Sequence, residues 1–272
     1  MLAALLDLVL PPRCAGCGEP DALVCPLCME EILRAPASRP PDPSPPGLPE
    51  CWSATRYDGA ARRLLLAYKE RGRTALAPVL SAVLAEVAEA ALAGSAVGAV
   101  SGPVTVVPVP SARAAYRRRG HDPVGVIAAG AVALLRRRGV PVTITPLLRQ
   151  ARRVADQAGL SSTQRAANLH GALEVIRARR GATRASGGRE AVVLLVDDIV
   201  TTGVTLAEAA RAVRETGADV PLALTVAATG RRRGATPRRH GAEEHHRDRA
   251  EQRTGLRRRH ARRDGDHVHD RR

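Results

Sequence analysis

Apolar residues run along this chain in two rhythms. Residues 191–197, AVVLLVD, form an unbroken apolar run that ends in a carboxylate, the pattern of a strand buried on both faces. Residues 205–217, TLAEAARAVRETG, then space apolar and charged positions as a helix does. The same alternation recurs upstream. Strands are expected at 51–57 (CWSATRY), 104–110 (VTVVPVP) and 142–145 (VTIT), and 220–228 (VPLALTVAA) reads as a closing strand. Helices are expected over 60–71, with Lys69 near the end, and over the Ala-rich stretch 75–93. Another should run from an Asp122–Pro123 start to Arg138, and a short one over 161–169. Strands that alternate with helices predict an α/β fold with a doubly wound, mostly parallel sheet. In such sheets ligands sit beyond the carboxyl ends of the strands, and Asp197 and Asp198 are expected at such an end.

Two segments fall outside that rhythm. Residues 36–50, PASRPPDPSPPGLPE, carry seven prolines and read as a stiff extended linker. The first ten residues, MLAALLDLVL, are apolar but include Asp7 and meet Pro11 and Pro12 at once. They lack the basic start of a signal peptide and the length of a membrane span, so a short amphipathic helix is expected. No other stretch of membrane length is free of charges and helix breakers, and a soluble, cytoplasmic protein is the expectation. The layout is then an N-terminal helix and cysteine segment over 1–35, the linker over 36–50, a main domain over 51–229 and a tail over 230–272.

Composition narrows what the core can be. Apolar residues make up 44% of the chain, yet there is no Phe, one Trp and three Tyr, so Ala, Val, Leu and Ile must fill the interior. The net charge of +15 comes almost entirely from arginine, since Lys69 is the one lysine. Such an excess attracts phosphate, on small ligands or on nucleic acid, and is equally the mark of a solvated arginine surface.

Residues 14–28, CAGCGEPDALVCPLC, set Cys14, Cys17, Cys25 and Cys28 in two matched Cys-x-x-Cys knuckles. Two such knuckles can offer four thiolates to one tetrahedral Zn2+, with four protein ligands and therefore a structural role. A redox pair or two disulfides are the competing readings; matched knuckles and a reducing compartment favour the metal. Cys51 lies outside the pattern and reads as a buried apolar residue.

The most informative stretch is 192–206, VVLLVDDIVTTGVTL. A helix opening near Thr205 offers unpaired N–H groups and a positive dipole end. Gly203 lets the backbone approach an anion, and Thr201, Thr202 and Thr205 add hydroxyl donors, so the segment Val200–Thr205, Val204 included, can cradle a phosphate monoester. Asp197 and Asp198 would repel that phosphate. They can instead accept hydrogen bonds from a ribose cis-diol or sit near a hydrated Mg2+. The pattern asks for a sugar 5-phosphate.

This stretch resembles the phosphoribosyl diphosphate (PRPP) binding motif of type I phosphoribosyltransferases. Residues 106–124 (VVPVPSARAAYRRRGHDPV), residues 149–173 (RQARRVADQAGLSSTQRAANLHGAL) and the cysteine knuckle together resemble the ComF family, which includes ComFC and GntX-like proteins. The resemblance implies a transferase of the pentosyl class that displaces pyrophosphate from the ribose with Mg2+ present. It casts Asp197 and Asp198 as the catalytic acids and Val200–Thr205 as the PRPP loop. Lys69, Ser111, Arg113, Arg119, Arg149, Gln157, Arg165 and Asn168 become candidates for the pyrophosphate side and a closing lid, with Gly120 beside them. The pattern departs from many relatives at His121–Asp122, where an aromatic residue and Asn are common, and no segment announces an acceptor-base pocket. The resemblance also implies a second role, as a non-catalytic partner in DNA uptake with single-stranded DNA or the uptake machinery as partner.

Residues 230–272 hold 15 Arg and six His, with Leu256 and Val268 as the only large apolar residues, so a disordered segment is expected. A nucleic-acid-binding arm and a change of reading frame after about Ala228 are both open readings of it.

Overall fold

The computed structural model describes residues 12–95, 104–111, 122–151, 169–183 and 192–230. In chain order the elements are α1 (Pro26–Leu33), β1 (Ala37–Ser38), β2 (Glu50–Arg56) and α2 (Gly59–Lys69). A 3-10 turn (Thr74–Leu76) leads into α3 (Ala77–Gly94), followed by β3 (Val104–Pro108), α4 (Pro123–Arg137) and β4 (Val142–Ile144). Then come β5 (Leu148–Gln150), β6 (Leu173–Val175), a second 3-10 turn (Arg177–Thr183), β7 (Val192–Val200), α5 (Val204–Arg214) and β8 (Asp219–Ala228).

Six strands form one sheet in the order β1-β2-β8-β7-β3-β4. All neighbours are parallel except β1, which pairs antiparallel with β2. β7 lies centrally, and its residues alternate between two apolar layers. Leu194 and Val196 join a core formed with α2, α3 and α4, whereas Val193 and Leu195 face α5 and the ribbon β5–β6. The expected α/β fold with a mostly parallel sheet is therefore present, with both faces covered.

The scarcity of aromatics shows in how the helices meet. Gly130 of α4 faces Ser81 of α3 so closely that a Cβ there would lie 2.7 Å from Ser81 Cβ. Small residues let the helices close without large side chains between them. Helix α3 with its leading turn is long and apolar enough to cross a membrane by length and composition. It instead packs against α4 and β8, with Val83, Val87 and Ala91 fully buried, as a core helix does.

Three local outcomes differ from the sequence reading. The strand expected to stop at Asp197 continues to Val200, because Ile199 and Val200 extend the ladder opposite Ala227 and Ala228. The ribbon β5–β6, with Leu148 opposite Val175, arises where no strand is expected. It is clamped to α5 by Glu208 and Arg211. Glu208 Oε1 accepts from the Leu173 amide at 3.1 Å, and Arg211 donates to the Leu173 carbonyl at 3.2 Å. The proline-rich segment, read as an extended linker, is held against the sheet. Ala37 pairs with Ser53, the Arg39 amide donates to the Cys51 carbonyl at 2.7 Å, and Pro41 is buried. The N-terminal amphipathic helix, nearly all of the short helix at 161–169 and nearly all of the tail lie outside the described residues.

Candidate functional site

The loop after β7 is the tightest turn around the site. Only residues 201–203 separate the strand from α5. Gly203 caps the helix with φ +74°, a left-handed conformation open mainly to glycine. A Cβ at Gly203 would come within 2.9 Å of Leu48 Cδ2 and 3.0 Å of Pro41 Cγ, so the proline-rich segment presses on this turn. The Thr229 amide donates to the Val200 carbonyl at 2.9 Å and closes the other side. The result is a rigid turn that delivers the start of α5, with its outward N–H groups, to the carboxyl end of the sheet.

Beside it lies a cleft of about 360 Å3. It is lined by Lys69 from the end of α2, by Val109, Pro110 and Ser111 after β3, by Val124 of α4, and by Asp197, Asp198, Ile199, Thr201 and Thr205. Residues from five elements, α2, β3 with its following loop, α4, β7 and α5, thus converge, as expected at the carboxyl ends of parallel strands. Val200 and Val204 are buried beneath the loop, and Gly203 serves as its pivot. Thr202 is half-buried and does not line the cleft.

The two aspartates have different surroundings. Asp198 is buried, and the Lys69 ammonium donates to its Oδ2 at 2.5 Å. Its backbone amide donates to Asp197 Oδ1 at 2.8 Å. Asp197 keeps a partly open edge toward the cleft but is otherwise enclosed by the sheet. Burial, followed by the charge of Asp198, raises the Asp197 carboxyl well above the usual carboxylate range, and Lys69 only partly opposes this. The site therefore holds a fixed, ion-paired carboxylate next to a carboxyl whose proton is held more tightly than usual.

Asp122 joins this group from an unexpected direction. Its extended backbone and Pro123 make the expected helix start, but its side chain caps nothing. Its Oδ1 instead accepts from Ser111 Oγ at 3.2 Å. Tyr68, buried next to Lys69, donates its hydroxyl to the Pro123 carbonyl at 3.0 Å. Its phenol is pushed up to about 12, chiefly by burial and then by the charges of Asp122 and Asp198. Sequence reasoning assigned neither Tyr68 nor Asp122 to the site. The available signal was that the adjacent Lys69 is the one lysine among 42 basic residues.

Arg149 sits on the ribbon, where it pairs with Glu174 at 2.5 Å, and it does not line the cleft. Arg113, Arg119, Gly120, Gln157, Arg165 and Asn168 lie outside the described residues. A larger hollow of about 630 Å3 flanks α5 near Pro45, Pro46 and His170. Its Arg211 is bound to Glu208 and Glu215, and its Arg214 donates to the Gly47 and Val220 carbonyls. The acid pair lines the smaller cleft, not this hollow.

The four knuckle cysteines come together as their spacing predicts. Their sulfur atoms all lie within 4.8 Å of one another, with Cys17 and Cys25 at 3.5 Å. A tetrahedral ion with Zn–S bonds of about 2.3 Å sets sulfur atoms roughly 3.8 Å apart, so this set fits such an ion. Burial disfavours a thiolate at Cys14, but amide donors from Cys25, Cys17 and Gly16 outweigh it and bring the thiol down to about 6. Gly16 is required for closure, since a Cβ there would lie 2.5 Å from Cys28 Sγ.

A search of curated proteins finds no match to the chain. Residues 125–246 do match the family model described as the phosphoribosyl transferase domain. That span contains the acid pair, the threonine loop and α5, so the match supports a domain of the type I phosphoribosyltransferase kind and a phosphoribosyltransferase-like function in general terms.

Proposed function

We propose that the cleft binds PRPP and that the protein transfers its phosphoribosyl group to an acceptor with release of pyrophosphate. The observation that carries this reading is the convergence of Lys69, Ser111, Asp197, Asp198, Thr201 and Thr205 on one cleft at the start of α5. The N–H groups and threonine hydroxyls of that loop would hold the 5-phosphate. Asp198, fixed by Lys69, would accept from one ribose hydroxyl, and Asp197 beside it would engage the other. Their carboxylate oxygens are also the donors near which a hydrated Mg2+ would sit. Mg2+, when bound, neutralises charge on the departing pyrophosphate. Ser111 approaches the cleft from the β3 side and would face that leaving group. The knuckle would carry Zn2+ as a structural ion. A knuckle joined to such a domain also supports the ComF resemblance.

Calorimetric titration with PRPP, with and without Mg2+, tests the site. Micromolar, Mg2+-dependent binding that is lost in Asp197→Asn/Asp198→Asn supports the proposal. No binding by folded wild-type protein sinks it. Binding without pyrophosphate release across a panel of bases would leave a ligand sensor in place of a transferase.

A further inference from the structure

The cysteine segment does more than fold itself, because the first turn of α2 and the residues just past its end both bond to it. Helix α2 begins at Gly59 after Asp58, whose side chain makes no capping bond. The missing cap comes from another element: Glu31 of α1 accepts from the Ala60 amide at 3.0 Å. This places a carboxylate at the positive end of α2. Gly59, at φ +44°, makes room for it, since a Cβ there would overlap Glu31 Oε1. One turn further along, Arg63 Nε donates to the Gly16 carbonyl inside the first knuckle. Past the end of the helix, Arg73 donates to the Arg13 carbonyl at 3.0 Å. Ile32 of α1 is buried in the core that α2 shares. Lys69 and Tyr68 form the other end of α2, about 14 Å from Ala60 at 1.5 Å per residue.

We infer that Glu31 is a positioning residue of the cleft: by capping α2 from the metal knuckle, it holds Lys69 on Asp198. Knuckle and cleft are then one mechanical unit joined through a single helix. A helix that loses its cap frays from that end, and here the fraying end is also the end gripped by the knuckle. This inference rests on the proposed PRPP site only for its consequence in ligand affinity.

Because Lys69 is the one lysine, protein grown with 15N-labelled lysine gives a single Nζ signal. That signal is protected from solvent exchange while the ammonium stays on Asp198. In zinc-loaded Glu31→Ala, exchange at Nζ should rise severalfold and PRPP affinity should fall roughly fivefold, the ratio equivalent to one lost cap. Glu31→Gln keeps an acceptor oxygen and should restore both. An unchanged Nζ signal in folded, zinc-loaded Glu31→Ala overturns the inference, as does an equal effect of the Gln variant. If Glu31→Ala does not fold, Arg63→Met removes only the Gly16 contact and carries the same test. A shift in the Nζ signal without PRPP binding by wild type would uphold the coupling and remove the PRPP reading.

Discussion

Gly203→Ala probes the turn on which the cleft is built. Two separate penalties follow from the structure. An alanine at φ +74° costs about 1–2 kcal/mol in backbone strain. Its Cβ would meet Leu48 Cδ2 at 2.9 Å and Pro41 Cγ at 3.0 Å, both well inside normal contact. Overpacking of that kind adds about 1–3 kcal/mol. The expected loss is roughly 2–5 kcal/mol, and for a domain of this size melting should fall by about 5–15 °C. Urea unfolding with zinc present measures the total. The steric share can be isolated with a double-mutant cycle, because Leu48→Ala removes the nearest atom but leaves the backbone strain. Gly203→Ala should therefore cost about 1–2 kcal/mol less in the Leu48→Ala background. A loss below about 0.5 kcal/mol for Gly203→Ala, or a cycle with no coupling, would refute both the geometry of the turn and the claim that the proline-rich segment presses on it.

Three further tests address the cleft and the knuckle. The Asp197 carboxyl is raised in the folded state, so the stability it contributes is present in acid and is lost as pH climbs past the ordinary carboxylate range. Asp197→Asn should accordingly stabilise the protein at pH 8, with the gain shrinking toward pH 4, while PRPP binding is lost; thermal melts across that range decide it. Lys69→Met leaves Asp198 buried without its 2.5 Å partner and should cost about 2 kcal/mol, since the lysine is partly exposed. Adding Asp198→Asn should recover part of that loss in urea unfolding. Chelation should free four thiols to a thiol reagent before any global unfolding. Cys51, fully buried and with its thiol pushed up to about 12 by burial, should react only in denaturant.

The parts that were legible in the sequence are those whose causes are local. The apolar run of β7, the acids that follow it and the glycine before α5 sit within fifteen residues, and each has a direct conformational meaning. The cysteine spacing is equally short-range. What stayed hidden was contact between distant residues. Lys69 and Asp198 are 129 positions apart, and no periodicity links them. Glu31 caps a helix that starts 28 residues later, and Asp122 looks like an ordinary helix cap until Ser111 is placed beside it. The ribbon strands are three residues each, too short for an alternation to register. The proline-rich segment misled for another reason: composition reports its stiffness, whereas burial of Pro41 and pairing of Ala37 decide where it lies.

The two borders of the main sheet also bear on how the molecule behaves in a crowd. One border is β1, two residues long with Pro36 before it and Pro40 after it. The other is β4, three residues long, with Pro141 before it and Pro146 two residues beyond it. Proline offers no N–H to an incoming strand, and strands this short present few free groups to a neighbour. A sheet rich in valine and leucine thus offers an incoming strand little to pair with at these two short borders. Replacing Pro36 and Pro40, or Pro141 and Pro146, with threonine should lower the concentration at which the protein aggregates, as light scattering would show.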